Sequence, residues 1–236
     1  PIFVDMDPRT YDINPALIEE AITDRTRVII PVHFGGLSCD MGQIMAIAKK
    51  HDLLVLEDAS HAHGGKWKDT GLGTIGDAGA FSAMSGKNLA AGEAGIILTD
   101  DAEILGWSVL YHDFWRGAVQ AGTVESELPR GWESRFPVLA GNDRMNEIEG
   151  ALLLSQLDKL EDQTQRRSSN GDYLNSLLAQ IEGVRPLRRD PYVTRNPYHI
   201  LTFQYTGEGF KGLSRQKFAA ALGAEGIPIS LGYIKT

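Results

Sequence analysis

An α/β fold is what this sequence predicts: a mostly parallel sheet with helices on both faces, followed by a smaller α+β piece. Three observations carry that reading. Short apolar runs, such as Val28-Ile29-Ile30, Leu53-Leu54-Val55-Leu56, Ala78-Gly79-Ala80-Phe81-Ser82 and Ile96-Ile97-Leu98, are bounded by Gly, Asp or Pro, as buried strands are. Helical patterns alternate with the first of these runs, a rhythm that gives parallel strands joined by right-handed crossovers. After about Ser168 the pattern changes, so a large domain is expected over 1–167 and a small one over 168–236.

The elements follow in order. Pro1 to Asp5 reads as a strand. Asn14 is an N-cap with Pro15 at the first helical position, and the helix is expected to reach about Thr23. Arg27 to Phe34 is a strand that Gly35-Gly36 turns. Asp40 caps a helix to about Lys50, with Met41, Ile44, Met45, Ile47 and Ala48 on its apolar face. Three strands are expected between Leu53 and Thr99, and a helix from Asp101 through Leu110. From Tyr111 to Ala140 no period holds, and such a stretch is either functional or a surface insertion. A long helix begins at Gly141 to Met145. Met145, Ile148, Leu152, Leu153, Leu157 and Leu160 recur along it at helical spacing, and Gln163 to Arg167 continue it. Val184 to Pro186 and Tyr198 to Tyr205 read as strands. Ser214 caps a helix to Gly223 with Phe218 and Leu222 inward, and Gly226 to Ile229 starts one more strand.

Composition narrows the function. A net charge of −8 argues against a nucleic-acid surface, and 42% hydrophobic with 23% charged residues is ordinary for a globular protein. The single cysteine, Cys39, allows no intrachain disulfide and suits a reducing compartment, so a cytoplasmic protein is expected. No apolar run approaches the ~20 residues of a membrane span.

Ligands of open α/β sheets sit beyond the carboxyl ends of the strands. Asp58 lies at one such end; Ser82 and Lys87 lie at or beyond the next. Glu57 adjoins Asp58, and alternation sends the two to opposite faces of the strand. His33, before the Gly-Gly turn, reads as a structural histidine. The pair His61-x-His63 has no nearby Cys or third His at ligand spacing, so no metal is expected. Gly71-x-Gly73-x-x-Gly76 has the letters of a dinucleotide fingerprint, but it opens no helix after a strand.

Two passages resemble a known family. Glu57-Asp58-Ala59-Ser60-His61-Ala62-His63-Gly64 is followed by Gly76-Asp77-Ala78-Gly79-Ala80-Phe81-Ser82-Ala83-Met84-Ser85-Gly86-Lys87-Asn88. Pro1 to Asp5 and Gly141-Asn142-Asp143-Arg144-Met145-Asn146-Glu147 extend the match over nearly the whole chain. This is similar to the DegT/DnrJ/StrS sugar-aminotransferase family, with the aspartate-aminotransferase type of fold. The resemblance implies pyridoxal phosphate (PLP) as cofactor, with Lys87 as the Schiff-base lysine and Asp58 beside the pyridine nitrogen; the family pattern prefers Asp58 to Glu57. It implies that His61 contacts the cofactor ring, that Ser82 holds the phosphate, and that Asn142 reaches the phosphate of a partner subunit in a homodimer with shared sites. Asn142 also suits a helix N-cap.

The implied reaction transfers an amino group from glutamate or glutamine to a keto group of a sugar nucleotide or cyclitol, and the wording around His61 and Lys87 is closer to the cyclitol-type members. Family members carry an upstream helix whose Gly/Thr-rich start grips the phosphate, so the resemblance implies a partial chain. Three departures stand out: Ala94 in a run that is otherwise Gly-Glu-Gly-Gly, Ala83 where Phe is usual, and the long stretch before Asn142. Two alternatives accompany this reading: a dehydratase of the same family, in which His replaces the lysine, and a non-catalytic fragment or regulatory homologue.

Overall fold

The structure is a computed structural model in which residues 1–112 and 141–232 are described. The expectation placed on Tyr111 to Ala140 therefore lies almost wholly outside the described residues; Tyr111 itself ends up in a helix. The chain forms two compact units, one of Pro1–Ser168 with Arg189–Ile200, the other of Ser169–Arg188 with the residues from Leu201 on.

In the first unit a 3₁₀ turn (Pro15–Leu17), with Asn14 accepting from the Ala16 N–H, leads into the short helix α1 (Ile18–Ala21). It stops before the expected Thr23. Strand β1 (Val28–Ile29) is shorter than its apolar run, because Pro31 has no N–H to give to a ladder. Helix α2 (Met41–Lys50) is capped by Asp40, which accepts from the Gln43 N–H at 3.0 Å, and it buries Met41, Ile44 and Ala48. Strands β2 (Leu54–Asp58), β5 (Ala78–Ser82) and β6 (Gly95–Leu98) match their runs. A hairpin of β3 (Lys66–Trp67) and β4 (Thr70–Gly71) stands between β2 and β5 and was not expected. Helix α3 (Ala102–His112) and the long α4 (Glu147–Leu178) follow.

The main sheet runs β1-β2-β5-β6, with β1/β2 and β2/β5 parallel and β5/β6 antiparallel. It is α/β and mostly parallel, as expected. Helix α2 packs on β2. Ile29 and Val55, on that layer's core side, are buried, while their neighbours Val28 and Leu54 stay exposed. A second sheet pairs β4, β3 and β8 (Val193–Arg195), all antiparallel. Arg195 ties β8 down: its Nε donates to the Gly64 carbonyl at 2.6 Å and its guanidinium forms a two-point pair with Glu161 of α4. Gly64 sits at φ +77°, and a Cβ there would come within 2.9 Å of Thr164 Oγ1.

Six expectations are corrected in the remainder. Pro1 to Asp5 forms no ladder, since no strand among the described residues lies beside it; only a Met6–Ile13 bridge follows. Helix α4 begins at Glu147 rather than at Gly141 to Met145. Asn146 caps it, accepting from the Glu149 N–H at 3.0 Å while the Glu149 carboxylate accepts from the Asn146 N–H at 3.2 Å, a reciprocal capping box. Asn142 is therefore not the N-cap. The helix also continues past Ser168 to Leu178, polar sequence notwithstanding. In the second unit β7 (Val184–Pro186) pairs with β9 (Phe203–Tyr205), so the expected strand from Tyr198 is short by its first half; Asn196-Pro197 precedes it and bends the chain. Helix α5 (Arg215–Ala224) is capped by Ser214, and Phe218 stacks on Tyr205 with centroids 4.3 Å apart. Gly226 to Ile229 is not a strand.

Candidate active site

The site forms in the first unit, at the carboxyl edge of β2 and β5. Parallel register sets Asp58 opposite Ala80, so both strands end on one edge. Glu57 and Asp58 then part company. Glu57 is fully buried, and its carboxylate takes four hydrogen bonds: from His33 Nε2 at 2.9 Å and from the backbone N–H groups of Gly73, Ile75 and Gly76 at 2.6–2.8 Å. Burial pushes its carboxyl up, but the His33 and backbone hydrogen bonds outweigh that and hold it below the usual range. His33 Nδ1 accepts from the Cys39 N–H at 3.2 Å, so Nε2 carries the proton and this imidazole is a neutral donor. His33 is thus structural, and Glu57 has no lone pair left for a ligand. Asp58 is half-buried, with one oxygen accepting from the Ser60 N–H at 3.0 Å and the other without a hydrogen-bond donor among the described residues.

His61 is buried. Its Nδ1 accepts from the Gly35 N–H at 3.2 Å, which leaves the proton on Nε2. Gly35 reaches that position at φ 64°. The loop is fixed in turn by Asp12, whose carboxylate accepts from the Phe34 N–H at 3.1 Å. The His61 ring lies on the His199 ring with centroids 4.3 Å apart. Burial, then the charge of Lys87, lowers His61, with Asp58 opposing.

His63 and His199 are each held down to about 4, by burial first and then by charges that include Lys87. The Ser82 carbonyl opposes the shift at His63, yet both nitrogens of its buried ring lack a hydrogen-bond partner among the described residues. Lys87 thus faces three imidazoles that are neutral near pH 7.

The Lys87 loop is built as a closed turn. The Ala83 N–H donates to Ala94 O at 2.7 Å, the Ala91 N–H to Ala83 O at 2.8 Å and the Lys87 N–H to Met84 O at 2.9 Å. Ala83, Leu89 and Ala91 pack on Leu153 of α4, with Ala94 against them. Ala83 is fully buried there, which accounts for the small side chain at that departure. Lys87 Nζ makes no hydrogen bond or ion pair among the described residues. Ser82 ends β5, and its hydroxyl accepts from the Met84 N–H at 3.3 Å, leaving its own proton to donate.

The structure therefore brings Asp58, His61 and Lys87 together, with Ser82 on the same edge. Asn142 is exposed and pairs with Arg144 Nε at 2.9 Å; it is not brought to the others. Sequence reasoning missed His199, Arg167 and Asn88. One carbonyl, that of Pro197, accepts from Asn88 Nδ2 at 3.2 Å and from Arg167 Nε at 3.3 Å. The signal available was Pro197, which has no N–H to give to a ladder and so speaks against running a strand through to His199. Among the described residues no group of three or more His, Cys, Asp or Glu could hold a metal.

These residues fit PLP. Among the described residues, one carboxylate is consumed by the core while its neighbour keeps an oxygen without a donor, and an amine with no hydrogen-bond or ion-pair partner stands in a closed loop beyond the next strand.

A profile of the DegT/DnrJ/EryC1/StrS aminotransferase family matches residues 1–236. A relative from Micromonospora echinospora, a putative L-glutamine:3-amino-2,3-dideoxy-scyllo-inosose aminotransferase, is 37% identical over 229 residues, covering 96% of this chain and 52% of its own length. The chain thus spans about half of that relative. Among solved structures, an aminotransferase from Psychrobacter cryohalolentis is similar with a TM-score of 0.82 at 30% identity, covering 97% of this chain and 60% of the other. A 3-amino-5-hydroxybenzoic acid synthase is similar with a TM-score of 0.77 at 31% identity, covering 94% and 54%.

Proposed function

The chain belongs to the DegT/DnrJ/EryC1/StrS aminotransferase family, and from that premise we propose that its protein is a PLP-dependent aminotransferase moving an amino group from glutamine, or glutamate, to a keto group of a cyclitol or related sugar. When bound, PLP supplies an aldehyde carbon and an electron sink. The chain's own residues do the rest. The amine of Lys87 holds the cofactor and, once released, moves the proton at the donor's Cα. The carboxylate of Asp58 keeps a proton on the ring nitrogen; Glu57 is excluded from that task because its acceptors are used. His61 would contact the cofactor ring, and the Ser82 hydroxyl would donate to its phosphate. Asn142 completes the phosphate site of a second copy in a homodimer. The cyclitol class is supported by the relative from Micromonospora echinospora, whose name states an inosose substrate.

The carrying observation is Lys87, without a hydrogen-bond or ion-pair partner among the described residues, its charge acting on three imidazoles, with Asp58 the acid left unspent there. Borohydride reduction of the protein with PLP, then peptide mapping, should label Lys87; label on Lys49, Lys66 or Lys68 overturns the assignment. Adding L-glutamine should bleach the cofactor's absorption band.

A further inference from the structure

Arg167, near the middle of α4, is half-buried, and burial holds its guanidinium below its ordinary range. Its Nε donates to Pro197 O and one terminal nitrogen donates to Thr164 Oγ1 at 3.1 Å. Both acceptors are neutral. No carboxylate pairs with Arg167 among the described residues, and its second terminal nitrogen makes no hydrogen bond there. A cation taken partly out of water normally has an anion beside it.

The position is informative. Arg167 shares the Pro197 carbonyl with Asn88, the residue after Lys87. Its charge and that of Lys87 both act on the His199 imidazole. Two cations thus converge on one imidazole that is itself neutral, and the acid felt in this cluster is Asp58, through His61. The cluster has an excess of positive charge on the Pro197 side and a planar two-point donor to receive an anion.

We propose that Arg167 is the binding group for the α-carboxylate of the amino donor, with His199 as the neutral wall of that subsite. This rests on the aminotransferase reading, which requires an anionic donor beside Lys87. A carboxylate suits the guanidinium fork, and it enters and leaves in each turnover, which accounts for an Arg167 with no carboxylate partner among the described residues. A cyclitol acceptor carries no carboxylate and should ignore Arg167.

The test compares Arg167→Gln with the wild type in the intact protein. The amide can still donate to a carbonyl but carries no charge. Expected are a donor KM at least tenfold higher for L-glutamine, an equal weakening of inhibition by succinate as a plain carboxylate, an unchanged PLP affinity by fluorescence titration, and an unchanged KM for the acceptor. Equal weakening of PLP and succinate would show a phosphate-binding or merely structural arginine and overturn the proposal. So would unchanged donor KM and succinate inhibition.

Phenylglyoxal labelling of the wild type, mapped by mass spectrometry, needs no variant and stands even where Arg167→Gln does not fold. Arg167 should be modified and succinate should protect it; no modification, or no protection, overturns the assignment. If the wild type bleaches with no amino donor, the aminotransferase reading fails, while succinate protection still reports on Arg167.

Discussion

Glu57 and Asp58 are neighbours with opposite fates, and substitution should separate them. Asp58→Asn should leave the unfolding midpoint nearly unchanged, keep PLP bound and reduce the donor half-reaction by at least about a hundredfold, because an amide cannot hold the ring-nitrogen proton. Glu57→Gln should instead lower stability by about 2–4 kcal/mol in denaturant titration, since four buried donors lose their charged acceptor. An unchanged half-reaction in Asp58→Asn would return the role to another group. The histidines make a pH prediction. The folded His63 and His199 titrate at about 4 against an ordinary 6.5, so between those values the unfolded chain binds more protons. Stability should therefore fall as pH drops from about 6.5 to about 4 and then level off as far as these groups are concerned. Replacing the buried ring in His63→Leu should flatten that slope in thermal melts; an unaltered slope would mean that His63 does not carry it. Asp58 and Lys87 were legible in the sequence because each lies at or just past a strand end, where ligands bind, and His61 was legible through the family resemblance. His199 and Arg167 were not, because only folding sets the His199 ring against His61 and joins Arg167 to Asn88 through the Pro197 carbonyl.

Local rules account for most elements and for the misses. Asp40 and Ser214 were readable as caps because a short polar side chain directly precedes an apolar period. The β3–β4 hairpin was not readable: its two turn residues, Lys68 and Asp69, both have positive φ (47° and 63°), yet neither is the Gly or Asn that marks such a turn. Lys68 holds its place with Nζ 4.3 Å from the Trp67 ring centroid and 4.5 Å from that of Tyr192. Asp69→Gly should relieve the left-handed backbone and stabilise by up to about 1 kcal/mol, read as a raised melting temperature; a lowered one would show that the Asp side chain matters more than its backbone. The start of α4 was misplaced because Asn142 and Asn146 are both plausible caps by type. The reciprocal Glu149 bond decides for Asn146, and Asn146→Ala should cost about 1 kcal/mol.

Moving the cap to Asn146 bears on the whole molecule, because it leaves Asn142 exposed ahead of the helix, with Oδ1 accepting from Arg144 Nε. The helix that follows carries exposed apolar residues: Ile148, Leu154 and Leu157 on α4 are 82%, 68% and 54% exposed, and Leu154 and Leu157 join Leu89, Ile96, Met145 and Leu153 in lining a hollow of about 360 Å³. Exposed apolar surface of this kind suits an interface with a second copy. If each phosphate is held from both chains, one site joins Lys87 of one copy to Asn142 of the other. Lys87→Ala removes the amine, and Asn142→Asp sets a negative charge against the phosphate; each homodimer should be inactive. A mixed dimer then has one site with both lesions and one with neither. After subunit exchange in equal amounts, half the dimers are mixed and half their sites intact, so about a quarter of wild-type activity should return. No recovery, with exchange confirmed by native mass spectrometry, would mean that Asn142 serves its own chain and that the apolar face of α4 meets some other surface.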